Sequence, residues 1–234
     1  MRDWGAERPV NKARGPLPAR IGPAPAMPQL VDYEPCVLTS TTVLTGCQES
    51  DVCVDGSVLR VAFELDSGEH ARRVALGLGA VGSTGLLHAL WLVPPGIPVP
   101  IAALPQRKRE RLVAAPGWVR VDRDAFWSDY APPAQVRGVG VIGADPQRVI
   151  RRAAAQPRVF QRMAVVRGDA ELIRSRDIDI ASRVGVGLCA VGAGEAKVLV
   201  DAPPAELGVP GVFRWWLAEL AYRSWLQDRT HPVS

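Results

Sequence analysis

The stretch Asp55-Gly-Ser-Val-Leu-Arg-Val-Ala-Phe-Glu-Leu-Asp-Ser-Gly-Glu-His70 carries the signals that decide the fold. Its centre, Val58–Leu65, is largely apolar and of strand length, which predicts a buried β-strand. A helix pattern begins directly afterwards at Gly68, with Glu69 in the first turn. Because a strand that leads straight into a helix is the building unit of α/β proteins, the stretch predicts an α/β fold with a mixed sheet flanked by helices.

The same strand–helix–strand order recurs along the chain. After a helix at Gly68–Thr84, the apolar run Leu87–Val93 predicts a second strand. Asp145 is a favourable N-cap and Pro146 suits a first helical turn, so a helix is predicted from there to Gln156. The remaining predicted elements are a helix at Gln106–Val113, strands at Trp118–Val121, Val136–Ile142 and Met163–Val166, short helices capped by Asp169 and Asp177, a strand pair at Val186–Val191 and Ala196–Val200, and a helix at Val212–Asp228.

Three parts are predicted in the chain: an N-terminal arm at 1–30, a first α/β unit at 31–130, and a second α/β unit at 131–234 that ends in the C-terminal helix. The arm is rich in proline and arginine, and proline excludes it from helix interiors and central strands. The two units follow the same order of elements, which suggests that they are pseudo-repeats.

Composition places the chain among globular proteins. Hydrophobic residues make up 47% of its 234 residues and the net charge is +4. So large an apolar fraction excludes a wholly disordered chain. Nearly all basic residues are arginine, which reflects either the codon usage of a GC-rich genome or the fit of guanidinium groups to phosphate. No secretory signal is recognisable at the N-terminus, so a cytoplasmic location with reduced thiols is expected.

The spacing of the cysteines argues against a zinc site, and a glycine-rich turn argues against a membrane span. Cys36, Cys47 and Cys53 lack the paired spacing of a zinc ribbon, so free thiols are predicted. Val74–Val93 contains no charged residue and is long enough to span a bilayer. The glycine-rich turn at Gly82–Gly85 interrupts this stretch, so a membrane location is disfavoured.

Three carboxylates gather around the predicted strand of the opening stretch. Glu64 and Asp66 are two positions apart and therefore share a face at the strand end. Asp55 is expected to reach them across a hairpin. Carboxylate oxygens are ligands that Mg²⁺ prefers, and a bound metal ion can activate water against a phosphodiester. Asp55, Glu64 and Asp66 are thus the predicted catalytic and metal-binding residues, with Mg²⁺ as the cofactor if the protein is catalytic.

This stretch resembles the core of the PD-(D/E)xK, or restriction-endonuclease-like, superfamily, in which an acid precedes a strand ending in E-x-K and a helix and another strand follow. By resemblance Asp55 is the first acid and Glu64 the second, whereas Asp66 falls where the family has lysine. Val61-Ala-Phe-Glu-Leu-Asp66 is also similar to nuclease-like domains of actinobacterial plasmid replication-relaxation proteins. The missing lysine implies weak catalysis or none, and whether the protein is an enzyme stays open.

The second unit resembles the same core with its acids removed. Gly140 and Ile142 stand where the family's glutamate and lysine would stand. If this unit is the true core, the resemblance implies a pseudo-nuclease without a metal site.

Two arginine clusters are candidates for contacts with a phosphate backbone. A solvated helix face is the simpler interpretation of each cluster. The predicted nucleic-acid-binding residues are Arg107, Arg109, Arg111, Arg148, Arg151 and Arg152.

Two functional hypotheses follow. The first is a nucleic-acid-associated protein, with DNA as the partner, on a degenerate nuclease-like scaffold. The second is a non-enzymatic assembly subunit that binds a protein partner, or further copies of itself, through the arm at 1–30 and the tryptophan-rich C-terminal helix. Tryptophan and arginine are enriched at interface centres, which motivates the second hypothesis.

Overall fold

The computed structural model of the chain describes residues 47–54, 56–192, 195–206 and 211–230. The elements in chain order are β1 (Gln48–Val54), β2 (Ser57–Leu65), α1 (Ser67–Ala75), α2 (Thr84–Trp91), β3 (Val99–Pro100), α3 (Gln106–Val113), β4 (Val119–Asp122), β5 (Ala125–Ser128), β6 (Ala134–Gly143), α4 (Pro146–Ala154), β7 (Gln161–Arg167), α5 (Ser175–Val184), β8 (Gly187–Gly192), β9 (Glu195–Val200) and α6 (Val212–Thr230).

Six of the strands form one mixed sheet in the order β1-β2-β6-β7-β8-β9. The β1–β2, β2–β6 and β8–β9 pairs are antiparallel, whereas β6–β7 and β7–β8 are parallel. Parallel neighbours need a crossover connection, and here α4 and α5 provide the two crossovers. The predicted α/β fold with a mixed sheet flanked by helices is therefore confirmed.

The main core lies between one face of this sheet and helices α4, α5 and α6. Alternate strand residues such as Val61, Val141 and Ala164 point into it and are at most 2% exposed. Their neighbours Ala62 and Met163 belong to a smaller apolar cluster on the opposite face. This division follows from the two-residue period of a strand, which sends successive side chains to opposite faces.

Between β2 and β6 the chain leaves the large sheet and builds the inserted part, residues 66–133. It contains α1, α2, α3 and a second sheet in the order β3-β5-β4. It has its own core, in which Leu87, Leu90, Leu112 and Phe126 are at most 1% exposed. Because β2 pairs with β6, the two predicted α/β units contribute strands to one common sheet.

The predicted strand at Leu87–Val93 was wrong, because this segment is mostly helix α2. The Ser83 side chain caps the helix by accepting a hydrogen bond from the Leu86 N–H at 3.3 Å. The preceding helix, α1, ends at Ala75 and not at Thr84, since Gly77 adopts a left-handed φ of 64° that terminates helices readily. In the first predicted unit, strand β2 is therefore followed by two helices and not by a helix and a strand. The interpretation of the two units as pseudo-repeats was wrong.

Several predicted helix ends match the structure. The Asp145 carboxylate accepts hydrogen bonds from the N–H groups of Gln147 and Arg148, and Pro146 occupies the first turn of α4. Asp169 is, as predicted, the N-cap residue of a short 3₁₀ turn at Ala170–Leu172, although its side chain makes no capping hydrogen bond. The predicted cap at Asp177 was wrong, because this residue lies buried within α5, whose N-cap is Arg174.

The apolar stretch Val74–Val93 is divided between the end of α1, a connecting segment and α2. No described helix combines the length and the apolar character needed to cross a membrane.

A buried ion-pair network joins the inserted part to α6. The Arg73 side chain is fully buried and donates two hydrogen bonds to the Glu219 carboxylate, at 2.8 and 2.9 Å. It donates a third to Glu69 Oε1 at 2.7 Å, and the Tyr130 hydroxyl donates to Glu219 Oε1 at 2.9 Å. The guanidinium also lies over the Trp118 ring, 4.5 Å from its centroid. Opposite charges and aromatic rings thus satisfy an arginine that solvent does not reach.

We expect Arg73→Met to lower the free energy of unfolding by about 3–5 kcal/mol, because it leaves the Glu219 carboxylate buried without its cation. Urea denaturation measures this loss. The matched control is Arg120→Met, which breaks an exposed pair with Asp129 and should cost less than about 1 kcal/mol. Equal losses in the two variants would show that the buried network does not stabilise the fold more than a surface pair does.

Candidate functional site

The two acids that follow β2 lie at the rim of one cleft. Glu64 and Asp66 line a cavity of about 440 Å³ together with Gln135, Arg214 and Trp215. Glu64 is the penultimate residue of β2 and Asp66 is the N-cap of α1, so the strand-to-helix passage places both side chains. The cleft is the one place in the described chain where the sequence-predicted acids come together.

Both acids already have partners within the protein. Glu64 Oε2 accepts a hydrogen bond from Arg137 Nη2 at 2.7 Å, and this bond lowers the pKa of the half-exposed Glu64 carboxyl. Asp66 Oδ1 accepts a hydrogen bond from the Glu69 N–H at 2.9 Å. Asp55 lies outside the described residues. In the part of the chain that is described, no three His, Cys, Asp or Glu side chains are grouped closely enough to hold a metal ion.

Gly140 of β6 is the residue that the sequence resemblance placed where the nuclease family has its glutamate. Gly140 lies opposite Arg60 of β2 and Met163 of β7 in the sheet. Arg60 donates hydrogen bonds to both carboxylate oxygens of Asp51 on β1, at 2.8 and 3.0 Å. The residue paired with Gly140 on β2 thus belongs to an ion pair between β1 and β2, which was not predicted from the sequence. The two residues are directly paired across the hairpin, so opposite charges at matched hairpin positions were the available signal.

The arginines of α4 form an exposed basic surface. Arg148, Arg151 and Arg152 line an open depression of about 440 Å³ beside Asp145 and Ala155. Within the ranges that the structure covers, none of the three forms a salt bridge. The Asp145 carboxylate, the nearest acid on this helix, accepts hydrogen bonds from the helix backbone instead. The α4 surface thus presents three cations to solvent.

Arg162 holds the helix that carries this surface. Its side chain is buried, and its guanidinium donates hydrogen bonds to the Ala154 carbonyl at the end of α4, at 2.9 Å, and to the Gly185 carbonyl after α5, at 2.7 Å. Burial lowers the pKa of Arg162. Because terminal carbonyls carry the negative end of a helix dipole, one arginine can stabilise the ends of both helices.

The arginines of α3 lie in the inserted part. Arg107 and Arg111 are exposed and Arg109 is half-buried, and in the described structure none of them forms a salt bridge. The Arg111 guanidinium packs against Gly85 of α2, where any Cβ atom would collide with it. The six predicted arginines therefore form two separate surfaces on two different parts of the fold.

The described cysteines and the histidine nearest the cleft do not form a nucleophilic set. His70 Nδ1 lies 2.9 Å from the Tyr222 hydroxyl, and its ring packs edge-to-face on Trp225. Cys189 is fully buried in β8, and burial raises its pKa to about 11. A nucleophilic cysteine needs a low pKa and access to solvent, so Cys189 is a packing residue.

Thiol labelling tests this assignment. In a variant lacking Cys36 and Cys47, we expect Cys53, which is exposed, to react with Ellman's reagent in the native protein at about pH 8, and Cys189 to react only after denaturation. A further Cys53→Ser substitution should remove the native reaction. Rapid native labelling that survives this substitution would show that Cys189 is accessible and reactive.

Comparison with known proteins assigns no family to the chain. No family model, no curated protein and no solved structure matches it. The functional assignment consequently rests on the side chains and surfaces described above.

Proposed function

We propose that this protein binds nucleic acid, with DNA as the partner, on a nuclease-like scaffold that is weakly catalytic or not catalytic. The observation that carries the proposal is the α4 surface, where Arg148, Arg151 and Arg152 are exposed and form no salt bridge with any described residue. Arginine forks match phosphate oxygens, and phosphate contacts dominate the affinity of proteins for DNA.

The position of the arginines on α4 argues for an external anion. Arg151 and Arg152 lie in the last turn, where cations complement the helix dipole. Arg148 lies in the first turn, where the dipole disfavours a cation, and it is three and four positions from the other two. Like charges at this spacing repel one another on a helix. A phosphate backbone bound along this face would offset both the unfavourable interaction of Arg148 with the helix dipole and the repulsion between the three arginines.

The scaffold supports the nuclease kinship at the second predicted position and not at the first. β6, α4 and β7 follow one another as strand, helix and strand, which is the order of the PD-(D/E)xK core. After β2, in contrast, two helices follow where the core has a helix and a strand. By this resemblance Gly140 and Ile142 of β6 stand where the family has glutamate and lysine, so we infer a pseudo-nuclease that retains binding.

The assembly-subunit hypothesis has less support. Trp215 and Trp216 of α6 pack against the core of the inserted part, and Trp225 is buried in the main core. These aromatic side chains already stabilise the fold, so they are less suited to bind a partner. The arm at 1–30 lies outside the described residues.

Salt-dependent DNA binding tests the proposal. Fluorescence anisotropy with a labelled duplex should show affinity that falls steeply between about 50 and 200 mM salt. Arg148→Gln with Arg152→Gln should lower affinity and reduce the slope of log K against log salt by about 2, since each phosphate contact contributes about 0.9.

The matched control is Arg137→Gln with Arg158→Gln, which removes two arginines that are paired with Glu64 and Glu206. The net charge of the two double variants is equal, and the control should keep the wild-type slope. Absence of wild-type binding at low salt, or an equal slope change in both variants, would contradict the proposal.

A metal-dependent cleavage assay tests the proposal that the protein is weakly catalytic or not catalytic. With Mg²⁺ or Mn²⁺ present, we expect the wild type to cleave plasmid DNA no faster than Glu64→Gln, because Glu64 is paired with Arg137 and Asp66 caps α1. Asp66→Asn, which retains a capping oxygen, serves as the second comparison. Wild-type cleavage that both substitutions abolish would instead establish Glu64 and Asp66 as members of a working metal site, and Asp55→Asn would then test the third predicted acid.

A further inference from the structure

The inserted part contains two helices, α2 and α3, with a short strand and a three-residue 3₁₀ turn between them and a β-hairpin after them. From 84 to 128 the order is α2, β3, a 3₁₀ turn at Ile101–Ala103, α3, β4 and β5. The three strands form an antiparallel sheet in which β5 lies between β3 and β4. Leu104 and Pro105 make the short turn between the 3₁₀ turn and α3. This order and pairing resemble a winged helix-turn-helix in which the 3₁₀ turn takes the place of the second helix. Residues 84–128 are here called the 84–128 module.

The 84–128 module presents one face of α3 to solvent. Leu112 of α3 is 1% exposed and packs with Leu87 and Leu90 of α2, which fixes the inner face. Gln106, Arg107 and Glu110 are exposed. Val212, Trp215 and Trp216 of α6 pack against the same core and attach the module to the large sheet. The outward face of α3 is therefore held rigidly by packing on its inner side.

Resting on the proposed function, we propose that the 84–128 module binds duplex DNA with α3 in the major groove and reads base sequence through Gln106, Arg107 and Glu110. A recognition helix contacts base edges with residues near its N-terminus, and these residues lie in the first and second turns of α3. Arginine pairs with guanine, glutamine with adenine, and glutamate accepts from cytosine. The exposed face thus carries three residue types suited to base edges.

The dimensions and the local contacts of α3 fit this role. An α-helix with its side chains is about 10–12 Å across, close to the roughly 12 Å width of the major groove. Gln106 Nε2 donates a hydrogen bond to Glu110 Oε1 at 3.0 Å, which orients both side chains on the outer face. Arg111 is exposed and lies against the start of α2, and we expect it to contact a phosphate at the groove edge.

The β4–β5 hairpin contributes little charge. Arg123 and Asp124 form its two-residue turn, and Arg123 has a left-handed φ of 51°. Arg120 is paired with Asp129 at 2.8 Å. The exposed charged residues of the hairpin sum to zero net charge; they are Arg120, Asp122, Arg123 and Asp124. We therefore assign base recognition to α3, and the hairpin only spaces the module from the DNA backbone.

The test is a selection of duplexes from a random library with the full chain, followed by binding measurements on the enriched sequence. We expect the selection to enrich a motif that contains guanine. Methylation of that guanine at N7, an acceptor on the major-groove edge, should weaken binding. Arg107→Ala should lower affinity for the selected duplex by roughly tenfold to a hundredfold, with a much smaller loss on an unrelated duplex. Arg123→Ala is the matched control and should change both affinities little.

The outcomes separate this inference from the proposed function. Arg148→Gln with Arg152→Gln should weaken binding to selected and unrelated duplexes alike. Wild-type DNA binding without an enriched motif, or with equal losses for Arg107→Ala on both duplexes, would overturn base reading by α3 and leave the proposed function standing. No binding to any DNA at low salt would overturn both. Unchanged thermal unfolding of Arg107→Ala excludes loss of folding as the cause.

Discussion

The buried pair of Arg73 and Glu219 is the contact on which the arrangement of the whole structure depends. Arg73 belongs to the inserted part and Glu219 to the last helix, and neither side chain is reached by solvent. A buried charge is tolerated only with a well-placed counter-charge and hydrogen bonds to the remaining polar atoms. Here Glu69, Tyr130 and the Val81 N–H complete those bonds. The inserted part, which contains α3, is thereby joined to α6, the helix that packs on the large sheet.

Arginine has two physical roles in this protein, and burial separates them. Arg73, Arg162 and Arg60 are buried, and each is neutralised by carboxylates or by backbone carbonyls. The exposed arginines of α3 and α4 have no such partner in the described structure. Buried guanidinium groups connect elements, whereas exposed ones remain available to phosphate. Composition alone does not separate the two roles, because a count of arginines does not show which of them are buried.

Much of the secondary structure could be predicted, and the errors have physical reasons. Gln106–Val113 and the Asp145 cap were correct because charge pattern and capping act within a few residues. Leu87–Val93 was mistaken for a strand because a short apolar run fits a buried helix equally well. Of the predicted site, Glu64 and Asp66 do share a cleft, but the sequence did not reveal that Arg137 and the α1 backbone engage them. Arg137 lies on the neighbouring strand β6, 73 positions further along the chain than Glu64, and the capping N–H of Glu69 is identified only when the start of α1 is known.

The sequence by itself determined the fold class, most of the elements, and which residue types are available for phosphate and base contacts, since these depend on local periodicity and chemistry. Only the tertiary structure decided that 66–133 is inserted between two strands of one sheet, that β3, β4 and β5 close beside α3, and that Arg73 meets a glutamate 146 positions away. Pairing between distant segments follows from packing of the whole chain, which no local pattern encodes. The interpretation of α3 as a recognition helix therefore required the fold.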